Sequence, residues 1–384
     1  MIIDTFSIIT STLLILFSLI TPLLNPFFRK IRSSEIKDNN NGNNNNTTVK
    51  ISVLLLAYDY TQELQSCISA VLEQNYNQED FEIIVIIEKG DICAETVLNN
   101  FHDDKRIHVT FIPSKTLFMS RQKLAISLGV KAAHNEWITI IKSTDSVSEN
   151  WLSILSQHFN NKTSLVIGYA NYEQETNAYY RFLRLRTSLY LLYKAQHNTA
   201  YRSGSSNIAF RKTLFIEGDG YRDNLQLTHG EFDFIINKYA QKGNTAIEIS
   251  PNAFIREKKP TKKEWNNNNI ALYYMNNILH RKLSYQACYI VDLLMMFINY
   301  IASIAILITS IISKDYLLVF VSAFTLILTC ILRTIIAKKA FKQYGEKIAW
   351  IRVIPYEISL LSHDLSFLFR YWSSNKNDFI THKI

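Results

Sequence analysis

The chain has 384 residues, of which 48% are hydrophobic and 19% charged, and its formal net charge is +8. A chain of this length and composition can hold a soluble core together with membrane segments. Its basic excess favours contact with anionic membrane lipids, and no basic and aromatic groove pattern indicates a nucleic-acid partner.

The first apolar cluster is an uncharged stretch from Phe6 to Leu24. It approaches the roughly 20 residues that a helix needs to cross a bilayer. A cleaved signal peptide is the alternative, and it requires a basic start, a shorter apolar stretch and a small-residue cleavage site. The sequence has Met-Ile-Ile-Asp before the stretch and Asn-Pro-Phe-Phe after it. We therefore expect an uncleaved transmembrane anchor.

Two further apolar stretches, 289–312 and 316–336, are separated only by residues 313–315 and predict a transmembrane hairpin. Basic residues lie after the first span and outside both ends of the hairpin: Arg29, Lys30, Arg32, Arg281, Lys282, Lys338, Lys339, Lys342 and Lys347. The positive-inside rule then places residues 29–288 and the C-terminal tail in the cytoplasm, at a bacterial-type inner membrane.

The tail from Trp350 to Trp372 mixes apolar and charged residues, which favours an interfacial helix over a fourth span. A transporter is disfavoured, because three spans without inward-facing ionisable residues offer no pathway. The predicted regions are an anchor at 1–28, an Asn-rich tether at 29–50, an α/β domain at 51–285, the hairpin at 286–340 and an interfacial tail at 341–384.

Within the middle region, short apolar runs alternate with segments of helical periodicity. The runs predict strands at 51–57, 81–87, 107–112 and 137–141, and the periodic segments predict helices at 64–73, 94–101 and 121–133. This alternation predicts a mostly parallel sheet flanked by helices. Ligands of such sheets lie beyond the carboxyl ends of the strands, where we look for functional residues.

The segments at those strand ends resemble, in order, the motifs of family 2 of the inverting glycosyltransferases, which have the GT-A fold. The six segments are SVLLLAYDY at 52–60, FEIIVIIEKGD at 81–91, SRQKLAISLGVKAAHNEWITI at 120–140, STDSVSENWL at 143–152, SGSSNIAFRKTLF at 203–215 and GEFDFIINKYAQKG at 230–243. They resemble, respectively, the family's opening strand, acidic strand end, basic helix, metal motif, acceptor loop and catalytic-base motif. The resemblance implies a nucleotide-sugar donor and a Mg or Mn cofactor.

The same resemblance implies roles for particular residues. Asp145 is the candidate metal ligand, Glu231 and Asp233 are the candidate catalytic bases, and the candidate donor or acceptor contacts are Tyr58, Asp59, Glu88, Arg121, Lys123, Gly204 and Asn207. Each also has a structural alternative: a turn or helix cap for Asp145, an exposed loop for Glu88, a solvated helix face for Arg121 and Lys123, and plain turns at 58–59 and 204–207.

The sequence departs from the family pattern at the positions that carry the chemistry. Ser143 replaces the first aspartate of the metal motif, and Phe232 replaces the aspartate of the base motif. Residues 266–269 are asparagines where the family has a basic and aromatic motif. Leu56 and Ile87 also replace a proline and an aspartate.

Two functions therefore remain open. The first is a membrane-associated glycosyltransferase that uses a lipid-linked or cell-envelope polysaccharide acceptor. The second is a catalytically inactive binding or scaffold protein at the membrane that pairs with an active partner glycosyltransferase.

Overall fold

The computed structural model describes residues 5–34, 49–58, 62–114, 116 and 119–381. Asp59 and most of the predicted tether lie outside these ranges. The chain divides into two compact units, Met1–Lys30 with Arg281–Ser366 and Ile31–His280 with Phe367–Ile384. Each unit has its own secondary structure and core.

The strands all lie in the second unit. They are β1 (Ile51–Leu56), β2 (Phe81–Glu88), β3 (Ile107–Ile112), β4 (Trp137–Lys142), β5 (Leu165–Gly168), β6 (Ala170–Tyr172), β7 (Ile208–Arg211), β8 (Thr245–Glu248) and β9 (Ile255–Glu257). The four predicted strands are confirmed as β1 to β4. Strands β1, β2 and β4 are buried almost throughout, which is typical of parallel strands covered on both faces, whereas the edge strand β3 is mostly half-exposed.

The helices are distributed over both units. They are α1 (Thr5–Leu24), α2 (Leu64–Leu72), α3 (Ile92–Asn99), α4 (Arg121–Ala132), α5 (Trp151–Ser156), α6 (Ala178–His197), α7 (Lys212–Glu217), α8 (Glu231–Tyr239), α9 (Lys262–Asn276), α10 (Lys282–Ser313), α11 (Tyr316–Gln343) and α12 (Val353–Ser373). Short 3₁₀ turns occupy Pro26–Phe28, Arg222–Asn224, Pro251–Ala253, Trp350–Arg352 and Lys376–Phe379. The predicted helices at 64–73, 94–101 and 121–133 are confirmed as α2, α3 and α4.

The main sheet has the strand order β3-β2-β1-β4-β7-β5-β8. Within it β7 runs antiparallel to β4 and β5, and the other pairs are parallel. A second, two-stranded sheet joins β6 and β9. The predicted class, a mostly parallel sheet of GT-A type with flanking helices, is confirmed. Because β2, β1 and β4 are parallel neighbours, their carboxyl ends form one edge of the sheet.

The first unit contains the long apolar helices α1, α10 and α11. Their length and composition are sufficient to cross a membrane, which confirms one such helix near the N-terminus and two near the C-terminus. Asp315 starts α11, since its Oδ1 accepts hydrogen bonds from the amides of Leu317 and Leu318 at 3.1 and 3.2 Å.

The expectation that the spans hold no inward-facing ionisable residue is wrong. Arg333 of α11 is fully buried, and its guanidinium lies 2.7 Å from Glu357 of α12 and 3.4 Å from Asp292 of α10. It also donates to the backbone carbonyl of Thr21 in α1 at 3.0 Å, and Asn25 donates to Glu357 at 2.7 Å. Averaged hydropathy hides such single charges. In the structure they join four helices of this unit and compensate one another.

Candidate active site

Three of the predicted binding residues meet where β1 and β2 end. Glu88, the last residue of β2, forms an ion pair with Arg121, the first residue of α4. The Arg121 guanidinium also lies 5.3 Å from the centre of the Tyr58 ring, which follows β1. The side chains of the ion pair are partly exposed. An arginine at a helix N-terminus beside an aromatic ring is suited to a phosphate and an adjoining base. Asp59, the neighbour of Tyr58, lies outside the described residues.

Asp145 follows β4, which is the neighbour of β1 on its other side. Its Oδ2 accepts hydrogen bonds from the Lys142 amide at 3.2 Å and from the Ser206 hydroxyl at 3.0 Å. Its Oδ1 is buried and has no hydrogen-bond partner among the described residues. Burial raises the pKa of Asp145 to about 7, although the ammonium of Lys142 opposes this rise.

An unpartnered buried carboxylate oxygen is uncommon, and it fits a hard divalent cation held by one protein oxygen. Mg²⁺ in particular is usually bound through one or two carboxylates together with waters and substrate phosphates. With Ser143 in place of an aspartate, Asp145 is the one carboxylate that the motif offers. The residues present fit a cation whose remaining ligands come from a diphosphate and water.

Sequence reasoning missed the charges that surround Asp145. Lys142 ends β4, Arg184 lies in α6, and Glu257 ends β9. Arg184 donates to Glu257 over 2.7 Å. Burial acts to lower the pKa of Lys142, but the surrounding carboxylates, led by Glu257, outweigh it and raise that pKa. The only sequence signal was Lys142 itself, a charged residue at the end of an apolar strand.

The two predicted bases have different surroundings at the start of α8. Asp233 is buried and accepts hydrogen bonds from the Gly204 amide at 2.7 Å and the Ser203 hydroxyl at 3.3 Å. It also pairs with Arg202 at 3.2 Å. Its two oxygens are thus occupied. Glu231 is partly exposed, and its carboxylate makes no hydrogen bond within the described ranges, so it is the better placed proton acceptor.

Phe232 lies between Glu231 and Asp233 in the sequence. Its side chain is 6% exposed, and the Lys142 ammonium lies 5.4 Å from the ring centre. The position that holds an aspartate in the family pattern is therefore filled by an apolar ring that faces a cation.

Lys123 is buried beside the loop that precedes α8. Its side chain is fully buried, and the ammonium donates to the backbone carbonyls of Asn224 and Leu227 at 2.6 and 2.9 Å. It also lies 4.7 Å from the centre of the Phe234 ring. Burial lowers its pKa to about 7, against the effect of Glu231. The diphosphate contact predicted for Lys123 does not fit this position, because the side chain holds the loop before α8.

Gly204 and Asn207 also have mainly structural contacts. Gly204 has a φ of 72° and presents its amide to Asp233. Asn207 is fully buried, and its amide group donates to the carbonyls of Tyr169 and Ala253, each at 2.8 Å. It accepts a hydrogen bond from the Trp151 indole at 3.3 Å. A buried amide with these partners is not available to an acceptor, so the structural alternative describes Asn207 better.

The asparagines at 266–269 lie within α9, which starts at a capping box formed by Thr261 and Glu264. The preceding Trp265 stacks on Tyr180, with the ring centres 3.9 Å apart. The segment that departs from the family pattern is thus an ordered helix whose tryptophan packs in the core of the second unit.

A protein-family model, Glycosyl transferase family 2, matches residues 52–219. This part of the chain belongs to glycosyl transferase family 2. The match confirms the predicted family and its class, the transferases. It includes the strand ends and Asp145, and it ends before α8 and the two candidate bases.

The glycosyltransferase GlyG of Streptococcus pneumoniae serotype 4 is 29% identical over 140 residues. That alignment covers 35% of this chain and 43% of GlyG, so the chain spans less than half of this relative.

Among solved structures, the mannosyltransferase PcManGT from Pyrobaculum calidifontis, in complex with GDP-Man and Mn²⁺, is 12% identical with a TM-score of 0.49. That similarity covers 84% of this chain and 97% of the other. S. aureus TarS 1-349 in complex with UDP-GlcNAc is 10% identical with a TM-score of 0.43, over 82% of this chain and 92% of the other. Both TM-scores are low, and neither structure indicates what this chain binds.

Proposed function

We propose that the chain is a membrane-associated, inverting glycosyltransferase that moves a sugar from a nucleotide-sugar donor to a lipid-linked or cell-envelope glycan acceptor. The observation that carries this proposal is the buried, unpartnered Oδ1 of Asp145 at the carboxyl edge of the sheet. A carboxylate oxygen in this state is suited to the cation that accompanies a diphosphate.

On this proposal the strand ends bind the donor. Tyr58 and Glu88 line the nucleoside side, and Arg121 lies within reach of both. Asp145 would hold Mg²⁺ or Mn²⁺, which offsets the negative charge of the departing diphosphate. The ammonium of Lys142 adds positive charge beside Asp145.

Glu231 would act on the acceptor. Its carboxylate takes the proton of an acceptor hydroxyl, whose oxygen then forms a bond to the anomeric carbon of the sugar. The bond from that carbon to the diphosphate oxygen breaks, and the nucleoside diphosphate leaves from the opposite face, which inverts the anomeric configuration. Glu231 fits this role better than Asp233, because the oxygens of Asp233 are already hydrogen-bonded.

A transferase that takes a nucleotide-sugar from the cytosol and passes the sugar to a lipid-linked acceptor has to lie at the membrane. This requirement would account for the membrane helices. We propose a bacterial-type inner membrane with α1, α10 and α11 as spans and the α/β domain at the cytoplasmic face. The exposed apolar side chains of the tail, such as Trp350, Phe369 and Trp372, support contact with lipid headgroups. Protease protection of a tag placed within residues 38–48 tests this orientation, and a protected tag in inside-out vesicles would exclude it.

The donor site is tested by calorimetry on the full chain in detergent, with uridine, guanosine and thymidine diphosphate-sugars, with and without Mn²⁺. We expect Mn²⁺-dependent binding of one donor class that weakens at least about tenfold in Asp145→Asn. Asp103→Asn is the matched control, because the Asp103 side chain is 90% exposed in the turn before β3. If no sugar nucleotide binds, the transferase proposal fails.

A second candidate function is a non-catalytic binding or scaffold protein that pairs with an active transferase. Phe232 favours it, because a benzyl side chain in the base motif accepts no proton. Donor hydrolysis or sugar transfer that is lost in Asp145→Asn would rule out this candidate. Tight donor binding without either reaction would support it.

A further inference from the structure

A cluster of one carboxylate and two imidazoles lies at the opposite edge of the main sheet. Glu82 lies near the start of β2, His108 near the start of β3, and His134 just before β4. One potential ligand atom from each of the three lies within 4.8 Å of the others. This edge holds the amino ends of the parallel strands, whereas Glu88 lies at the carboxyl end of β2 and Asp145 follows that of β4. The cluster is therefore separate from the candidate active site.

The two imidazoles converge on one carboxylate oxygen. Glu82 Oε2 lies 2.7 Å from His134 Nδ1 and 3.3 Å from His108 Nε2. Ligands around tetrahedral Zn²⁺ lie at about 2.0–2.2 Å from the ion, which separates neighbouring ligand atoms by about 3.3–3.6 Å. Small rotations of the exposed imidazoles would open the shorter distance to this range. The side chains of His134 and His108 are 70% and 43% exposed, so an ion can enter from solvent.

The rest of the site already orients the carboxylate. Glu82 Oε1 accepts hydrogen bonds from the Ser52 hydroxyl at 2.6 Å, the His134 amide at 2.7 Å and the Asn135 side chain at 3.3 Å. These donors fix one oxygen and leave Oε2 directed at the imidazoles, as outer hydrogen bonds do for metal-binding carboxylates. Burial acts to raise the pKa of Glu82, but the hydrogen bonds from Ser52 and His134 outweigh it and lower that pKa, so the carboxylate is ionised at neutral pH.

We propose that Glu82, His108 and His134 bind one Zn²⁺ ion, with a water molecule in the fourth position. Two imidazole nitrogens and one carboxylate oxygen are a common zinc ligand set, whereas Mg²⁺ prefers oxygen ligands alone. The ion would connect β2, the edge strand β3 and the turn before β4. The alternative is a hydrogen-bonded cluster in which Glu82 accepts from both imidazoles and binds no metal.

The test uses the full chain in detergent, purified without a polyhistidine tag and stripped of metal with a chelator. Zn²⁺ is titrated in competition with a chromophoric zinc indicator. We expect one tight site per chain, whose affinity falls at least about tenfold in His108→Ala and in His134→Ala. His102→Ala is the matched control, because His102 is an exposed histidine that pairs with Asp103 in the turn before β3.

Three further measurements distinguish binding at this cluster from binding elsewhere and from misfolding of the variants. Co²⁺ in place of Zn²⁺ should give visible absorption bands typical of four-coordinate nitrogen and oxygen ligation, and His134→Ala should lose them. Asp145→Asn should leave Zn²⁺ binding unchanged, since it alters the other edge of the sheet. Thermal melts of the metal-free variants check that they are folded. Failure of wild-type protein to bind Zn²⁺, or equal binding by His102→Ala and His134→Ala, would overturn the proposal.

Discussion

The Lys142 ammonium lies 5.4 Å from the centre of the Phe232 ring. A cation at this distance from an aromatic ring is attracted to it by about 0.5–2 kcal/mol. The ring thus helps to hold Lys142 beside Asp145 without supplying a second negative charge at position 232. Compared with the aspartate of the family pattern, Phe232 leaves more of the lysine's positive charge available to the diphosphate of the proposed donor.

Replacement of Lys142 tests whether this charge assists the reaction. In Lys142→Met we expect kcat for sugar transfer to fall about 10²-fold, because one preorganised positive group is lost from the departing diphosphate. Lys142→Arg keeps the charge and should recover much of the rate. Lys131→Met, on an exposed part of α4, is the matched control. Equal rates for Lys142→Met and Lys131→Met would contradict the role.

Glu231 and Asp233 should respond differently to loss of their charge. Glu231→Gln should lower kcat by about 10²–10⁴-fold with little change in donor affinity, since a general base is removed. Asp233→Asn should instead destabilise the fold by about 3 kcal/mol, because it breaks a buried pair with Arg202. Transfer assays and unfolding transitions measured on both variants distinguish these outcomes. The reverse pattern would assign the base to Asp233.

The lowered pKa of Lys123 should make the free energy of unfolding depend on pH. Burial lowers its pKa to about 7 in the folded chain, while an unfolded lysine keeps a pKa near 10.4. Between these values the unfolded state binds more protons, so this lysine makes the free energy of unfolding rise with pH. Its contribution is least favourable below pH 7. We expect the difference in unfolding free energy between wild type and Lys123→Met to change over about pH 7–10. A difference independent of pH would show that Lys123 is not perturbed.

Replacement of Arg333 should strongly lower the stability of the first unit. Arg333→Leu leaves the carboxylates of Asp292 and Glu357 buried without a cation, so the unfolding free energy should fall by about 3–5 kcal/mol. The triple replacement of Arg333, Asp292 and Glu357 by leucine should recover most of this loss. Arg352→Leu, at an exposed arginine, should change stability by less than about 0.5 kcal/mol. Unfolding in detergent by increasing SDS measures all three, and a triple variant as unstable as Arg333→Leu would contradict the account.

Sequence reasoning located the first four strands because each is a run of apolar residues that ends in polar ones. Ligands of parallel sheets lie beyond the carboxyl ends of the strands, and this rule predicted that one edge of the sheet holds Tyr58, Glu88, Arg121 and Asp145. The rule failed for Lys123, since a residue two positions after Arg121 is turned by about 200° around the helix and points to the other side.

The charges around Asp145 were not predictable in the same way. Lys142, Arg184 and Glu257 come from a strand, a distant helix and a later strand, and tertiary packing alone brings them together. The short strands β5 to β9 have three or four residues each, too few for a clear periodicity. The local sequence pattern therefore predicted which strand ends form the candidate site, but it did not predict the charged side chains that surround Asp145.

The segment from Ser203 to Asn207 forms hydrogen bonds both with the start of α8, on the proposed acceptor side, and with Asp145, on the proposed donor side. Its first residues bind Asp233 at the start of α8, and Ser206 donates to Asp145. The fully buried Asn207 fixes its far end. On the proposed mechanism, a shift of α8 on acceptor binding would thus be transmitted to Asp145, the carboxylate proposed to hold the cation of the donor. Acceptor and donor affinities should be thermodynamically coupled through these five residues, and each substrate should strengthen or weaken binding of the other by the same factor.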